Sequence, residues 1–157
     1  MTPHTLALVG ATGGAGTTRT AVELAAVGAR AGHDVVVLDA AYATQGLSEY
    51  VSGRIDTDLT TLLTDDPDAS LSAATYPIAV DDDARGALDG RADMVPARAP
   101  FERVARAKTA EAARALHRRT HEAAAAPRTV TVHTTPVPSH PSCPVLPTAD
   151  PVPPVRP

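Results

Sequence analysis

Four glycines fall within seven residues in the run Gly10-Ala-Thr-Gly-Gly-Ala-Gly16, and Thr17 and Thr18 follow at once. Such a run has a definite physical use. Where side chains are absent, successive backbone N–H groups can converge on an oxyanion, and a helix that starts there adds the positive end of its dipole. Gly13, Gly14, Ala15, Gly16, Thr17 and Thr18 are therefore the candidate binding residues. The Thr18 hydroxyl is placed to reach a metal ion carried by the same anion. Asp39 ends the next apolar run and supplies a carboxylate. The plainer alternatives are that the glycines only make a tight turn and that Asp39 only caps one.

These residues need a scaffold. Thr5–Val9 is a short apolar run ending at Gly10, as expected of a buried parallel strand. Thr17–Ala31 reads as a helix, with Val22, Ala25, Ala26 and Ala29 on one face and Gly32 as the stop. Gly28 inside it costs about 1 kcal/mol relative to Ala. Val35–Leu38 is a second buried strand, so the opening is a right-handed βαβ unit.

Later signals are weaker. Leu47–Val51 and Asp58–Leu63 read as short helices, with Asp58 as an N-cap. Residues 64–90 are acidic and read as a loop or insert. Ala92–Val95 and Thr129–His133 read as strands, and Phe101–Ala107 and Thr109–Ala126 as helices. Ten of the fifteen prolines lie between Pro127 and Pro157, a density that neither sheet nor helix accepts. The expected organisation is a domain over residues 1–135 and an extended, poorly ordered tail over 136–157.

The totals restrict the function classes. The 157 residues suit one domain, with one Phe, three Tyr and no Trp, so Ala, Val and Leu must pack the core. A single cysteine, Cys143, excludes an internal disulfide framework. No apolar run approaches the ~20 residues of a membrane span, and no basic segment precedes Leu6 as a signal peptide requires. A cytoplasmic location without membrane contact is expected. The net charge of −4 is uneven: residues 1–100 balance to −8 and residues 101–157 to +4. Basic residues over 103–119 could touch DNA phosphates, although a solvated helix face explains them more simply. His117 and His121, with His133, His140 and Cys143, form a zinc set on paper, but Arg114, Arg118 and Arg119 beside the helical pair repel a cation.

Two families use a glycine loop of this kind. Gly10-Ala-Thr-Gly13-Gly-Ala-Gly16 resembles the loop of NAD(P)-binding Rossmann enzymes, in which Asp39 would bind ribose. Asp39 lies 23 residues after Gly16, about a helical turn too far. Tyr42, Tyr50 and Tyr76 also lack the lysine four residues on that the short-chain dehydrogenases carry.

The better resemblance is to the ParA/MinD family of P-loop ATPases, which share the CobQ/CobB/MinD/ParA nucleotide-binding domain. Thr12-Gly13-Gly14-Ala15-Gly16-Thr17-Thr18 resembles the deviant Walker A motif, Lys-Gly-Gly-x-Gly-Lys-Thr. Val35-Val-Val-Leu-Asp39, Gln45-Gly46-Leu47-Ser48 and Val130-Thr-Val-His133-Thr-Thr-Pro136 resemble the segments that follow, the last at the Walker B strand. The resemblance implies a P-loop NTPase-like, three-layer α/β domain with a mostly parallel sheet, here degenerate and truncated to the family's N-terminal portion. It implies ATP and Mg²⁺ as ligands, Thr18 on the metal, and a possible homodimer around the nucleotides.

The departures fall at functional positions. Thr12 and Thr17 stand where the family has lysines, Ala41 replaces the second Asp of Asp-x-Asp, and His133 replaces the Walker B Asp. The chain's single lysine is Lys108. A charge that reaches β- and γ-phosphates stabilises the transition state of phosphoryl transfer, so hydrolysis is expected to be weak or lost. The reading is a nucleotide-binding protein. The alternatives are a Rossmann-like NAD(P) module and a degenerate fragment that binds nothing.

Overall fold

The computed structural model describes residues 4–78, 89–125 and 128–134. Its order begins with β1 (Thr5–Val9), α1 (Thr17–Arg30) and β2 (Asp34–Asp39). A 3-10 turn at Gly46–Tyr50 and α2 (Leu59–Thr64) come next. A second 3-10 turn at Leu71–Ala74 leads to β3 (Tyr76–Pro77) and β4 (Ala92–Val95). The helices α3 (Phe101–Ala107) and α4 (Ala110–Ala125) and the strand β5 (Arg128–Thr134) complete it.

The five strands form one sheet in the order β1-β5-β2-β4-β3. All pairs are parallel except β3 with β4. Chain alternation splits the core between the two faces of this sheet. Val35 and Val37 of β2, with Ala92 and Met94 of β4, meet Ala21, Val22, Ala25 and Ala29 of α1. Val36 and Leu38, with Val130 and Val132 of β5, meet Leu59, Leu62, Val104 and Leu116 of the other three helices. The three-layer α/β architecture expected from the sequence is therefore present.

The crossover from β1 through α1 does not return to the neighbouring strand. β5 lies between β1 and β2, pairing Thr5–Val9 on one side and Asp34–Asp39 on the other. In the dinucleotide-binding arrangement the first two strands are neighbours. The sheet thus departs from the Rossmann-like alternative at its centre.

Two further features depend on single residues. A Cβ at Gly28 would come within 2.7 Å of Val35 Cγ2, so the glycine lets α1 lie close to β2 and its weak helix propensity is offset. Asp58 is buried and caps α2 as expected, accepting from the N–H groups of Thr60 and Thr61, each at 3.2 Å, and of Arg98 at 2.8 Å.

The segment read as a loop or insert carries more structure than expected. Within 64–90, the Leu71–Ala74 turn and β3 add an antiparallel edge, Tyr76 pairing with Met94. A two-residue strand containing Pro77 has no periodicity to reveal it. The acidic run at 81–83 and the proline-rich tail from 136 lie outside the described residues.

Candidate functional site

The parallel register brings three chain segments to one end of the sheet. Val9 pairs with Thr134, and Asp39 pairs with His133. The glycine loop leaves the end of β1, so Asp39 and His133 stand beside it at the carboxyl ends of their strands. Open α/β sheets bind ligands at this end.

The loop is shaped to receive something. Gly14 and Gly16 adopt φ of 77° and 73°, a conformation that disfavours any residue with a Cβ. A Cβ built on Gly13, Gly14 or Gly16 would meet nothing within 4 Å, and the loop from Ala11 to Gly16 is exposed. Gly16 is the N-cap of α1, with no side-chain hydrogen bond to the cap and no acidic residue in the first turn. The N-terminal amides of α1 and the dipole's positive end are therefore left for an external anion. Gly10 is needed for a different reason. A Cβ there would lie 2.6 Å from Thr17 Oγ1, which folds back over the start of the loop.

Behind the loop is a chain of side chains. Asp39 and His133 share the sheet parity that faces α1, so both project under its first turn. His133 Nδ1 lies 3.3 Å from Asp39 Oδ1, and His133 Nε2 lies 3.4 Å from Thr18 Oγ1. A carboxylate only accepts, so the contact with Asp39 calls for a proton on Nδ1, and Nε2 pairs with the Thr18 hydroxyl. Asp39 is fully buried and also accepts from Ala41 N at 3.0 Å and from Leu47 N at 3.4 Å. It is thus a turn cap as well as the imidazole's partner. The turn that delivers Leu47 N is held by Gln45, whose amide exchanges hydrogen bonds of 2.8 and 3.0 Å with Ala99. Gly46 closes the site: a Cβ there would fall 2.8 Å from Thr18 Oγ1.

Magnesium is the ion that the resemblance assigns to Thr18. It is a hard cation, held by one or two carboxylates together with phosphate oxygens. Among the described residues, the group within hydrogen-bond reach of Thr18 Oγ1 is an imidazole. The Asp39 carboxylate is bonded to the other ring nitrogen and is already engaged by two backbone N–H groups. This donor set does not fit Mg²⁺.

Other candidates from the sequence are dispersed. The rings of His117 and His121 pack edge to face on α4 with centroids 4.5 Å apart, whereas His133 belongs to the loop site. No group of three or more His, Cys, Asp or Glu among the described residues could hold a metal ion. His140 and Cys143 lie outside the described residues. The basic stretch 103–119 is partly consumed by internal contacts. Arg106 Nη1 lies 2.6 Å from Asp65, and Arg103 is within 4 Å of both Asp58 and Asp65. Arg119 is buried against Glu122 and the carbonyls of Pro67 and Ala69. Lys108, Arg114 and Arg118 remain exposed. No helix of the described residues is long and apolar enough to cross a membrane.

The sequence singled out Thr18, Asp39 and His133 separately but did not join them. The signal was the shared parity of Asp39 and His133, which becomes legible only once β5 is known to pair with β2.

No family model matches the chain, and no curated protein does. Among solved structures, the crystal structure of a ParA family ATPase from Chlorobium tepidum TLS matches with a TM-score of 0.67 at 20% sequence identity. The match covers 94% of this chain and 57% of that one, so the chain spans little more than half of that neighbour's length. At this identity the likeness shows the fold. The polypeptide is a mixed α/β domain with the fold of a ParA family ATPase.

Proposed function

We propose that the chain is a nucleotide-binding protein that holds the phosphates of ATP on the amides of Gly13, Gly14, Gly16, Thr17 and Thr18, the Ala15 N–H bonding instead to Thr12 O at 3.3 Å, with hydrolysis weak or lost. One observation carries the reading. The space around Gly13, Gly14 and Gly16 is free of side chains, the loop is exposed, and the helix end that follows has neither a side-chain cap nor an acidic residue. An anion there would accept several amide hydrogen bonds and gain the helix dipole. The fold shared with an ATPase supports the same choice.

The deficit in hydrolysis follows from charge. Phosphoryl transfer is accelerated mainly by positioned positive groups. Thr17 is neutral, and its hydroxyl is turned toward Gly10. The one lysine, Lys108, follows α3, whose Val104 and Ala107 pack on the sheet face opposite α1. Arg19 is exposed, and its Nε lies 3.7 Å from Glu23, one turn along the same helix. A homodimer formed around bound nucleotides would lack the lysine that Thr12 replaces, so any such dimer depends on other contacts.

Thermal denaturation with ATP, GTP and NADPH tests the proposal. Stabilisation by the nucleoside triphosphates and not by NADPH is expected. Stabilisation by NADPH alone would return the reading to a dinucleotide module, and no shift with any of them would identify a non-binding domain.

A further inference from the structure

We infer that this site binds phosphate without a divalent cation, so that Mg²⁺ adds nothing to its affinity for ATP. The inference rests on the nucleotide reading above and concerns how that site works. Its basis is what surrounds the Thr18 hydroxyl. Magnesium beside such a hydroxyl is held by one or two protein carboxylates together with the phosphate oxygens, and the groups behind its ligands orient them. Here the hydroxyl faces His133 Nε2 at 3.4 Å, with Gly46 closing the other side. His133 is 3% exposed and Asp39 is 0% exposed, so the ring cannot swing out and expose the carboxylate without opening the core.

The arrangement is also complete without a metal. Asp39 is hydrogen-bonded to the imidazole Nδ1 and to two backbone N–H groups, and the imidazole Nε2 is paired with the threonine hydroxyl. Asp39, His133 and Thr18 each have a protein partner, and neither His133 ring nitrogen is orphaned. A dication at Thr18 would face the imidazole and be separated from the buried carboxylate by the ring. What remains for a phosphate is the amide cradle, which is charge-complementary on its own.

The experiment is isothermal titration of ATP into the full chain, with excess Mg²⁺ and with EDTA. The expected result is one affinity in both buffers, within about threefold, well inside the tenfold or greater effect of a working second shell. His133→Asp places a carboxylate next to Thr18, and its affinity for ATP is expected to become about ten- to a hundredfold stronger with Mg²⁺ than with EDTA. Thr18→Val is the second variant, useful if His133→Asp does not fold. It is expected to bind equally in both buffers, as the parent does. Binding by the parent only with Mg²⁺, or a loss confined to the Mg²⁺ buffer in Thr18→Val, would overturn the inference and leave the nucleotide reading standing. Absence of ATP binding in both buffers would overturn the nucleotide reading, and the inference with it.

Discussion

The imidazole of His133 and the carboxylate of Asp39 face one another across neighbouring parallel strands, with Nδ1 3.3 Å from Oδ1, and the far side of the ring reaches the first turn of α1 at Thr18. This link ties the floor of the sheet to the start of the helix under the glycine loop. Asp39 and His133 are buried and Thr18 is half-buried.

Removing the carboxylate should therefore damage more than one contact. In Asp39→Ala the N–H groups of Ala41 and Leu47 and the His133 ring all lose their acceptor in a buried place. A buried polar group left unsatisfied costs about 1–3 kcal/mol. Urea denaturation should show a loss of about 3 kcal/mol or more for the three groups together. Stability within 0.5 kcal/mol of the parent, about the scatter of a surface substitution, would show that the pairing is idle.

Gly28 gives a prediction of unusual sign. In an exposed helix, Gly→Ala stabilises by about 1 kcal/mol. Here the new methyl would lie 2.7 Å from Val35 Cγ2, and overpacking of this kind costs about 1–3 kcal/mol. Gly28→Ala should lower the urea midpoint, and adding Val35→Ala should recover part of the loss. A midpoint raised by Gly28→Ala alone would mean that α1 can move off the sheet at no cost.

Much of this architecture was readable from residue patterns. The stretch from β1 through α1 to β2 was legible because apolar runs, a glycine loop and a small-residue helix face each carry their own period. Asp58 was legible as a cap because N-capping is a local property. Three things were not. β3 is too short to alternate. Gly28 looked like a defect because the side chain that excludes a methyl, that of Val35, belongs to another element. The pairing of His133 with Asp39 joins residues 94 apart and depends on β5 lying between β1 and β2, a fact of topology. The loop's residues were legible as a binding motif, but that the space beside its glycines is free of side chains was a question only the packing could answer.

Gly16 separates the fold from its use. At a φ of 73° an alanine costs about 1–2 kcal/mol, while its methyl meets no protein atom within 4 Å. Gly16→Ala should remain folded by circular dichroism, lose about 1–2 kcal/mol of stability, and lose the ATP-induced rise in Tm. A variant that folds and keeps the full rise would place the phosphates elsewhere.

Acid stability has an identifiable contributor. The Arg106 hydrogen bond to Asp65, joined by the charges of Arg103 and Arg106, holds the Asp65 carboxyl below its ordinary value of 3.8 against the opposing effect of burial. A carboxylate depressed in the folded state stabilises it at pH above the unfolded value, and that stabilisation is lost as pH falls through the folded value. The parent's stability should thus decline below about pH 4, and Asp65→Asn should decline less steeply over that interval. Acid titration followed by circular dichroism checks this, and identical slopes for parent and variant would exclude Asp65 as a contributor.

The account depends on main-chain amides at the end of β1 receiving phosphate oxygens. Titration of ATP into ¹⁵N-labelled protein reads those amides one by one. The resonances of Gly13, Gly14, Ala15, Gly16, Thr17 and Thr18 should move together and saturate. Loop resonances that stay in place while ATP is raised to saturation, or shifts confined to other parts of the chain, would contradict it.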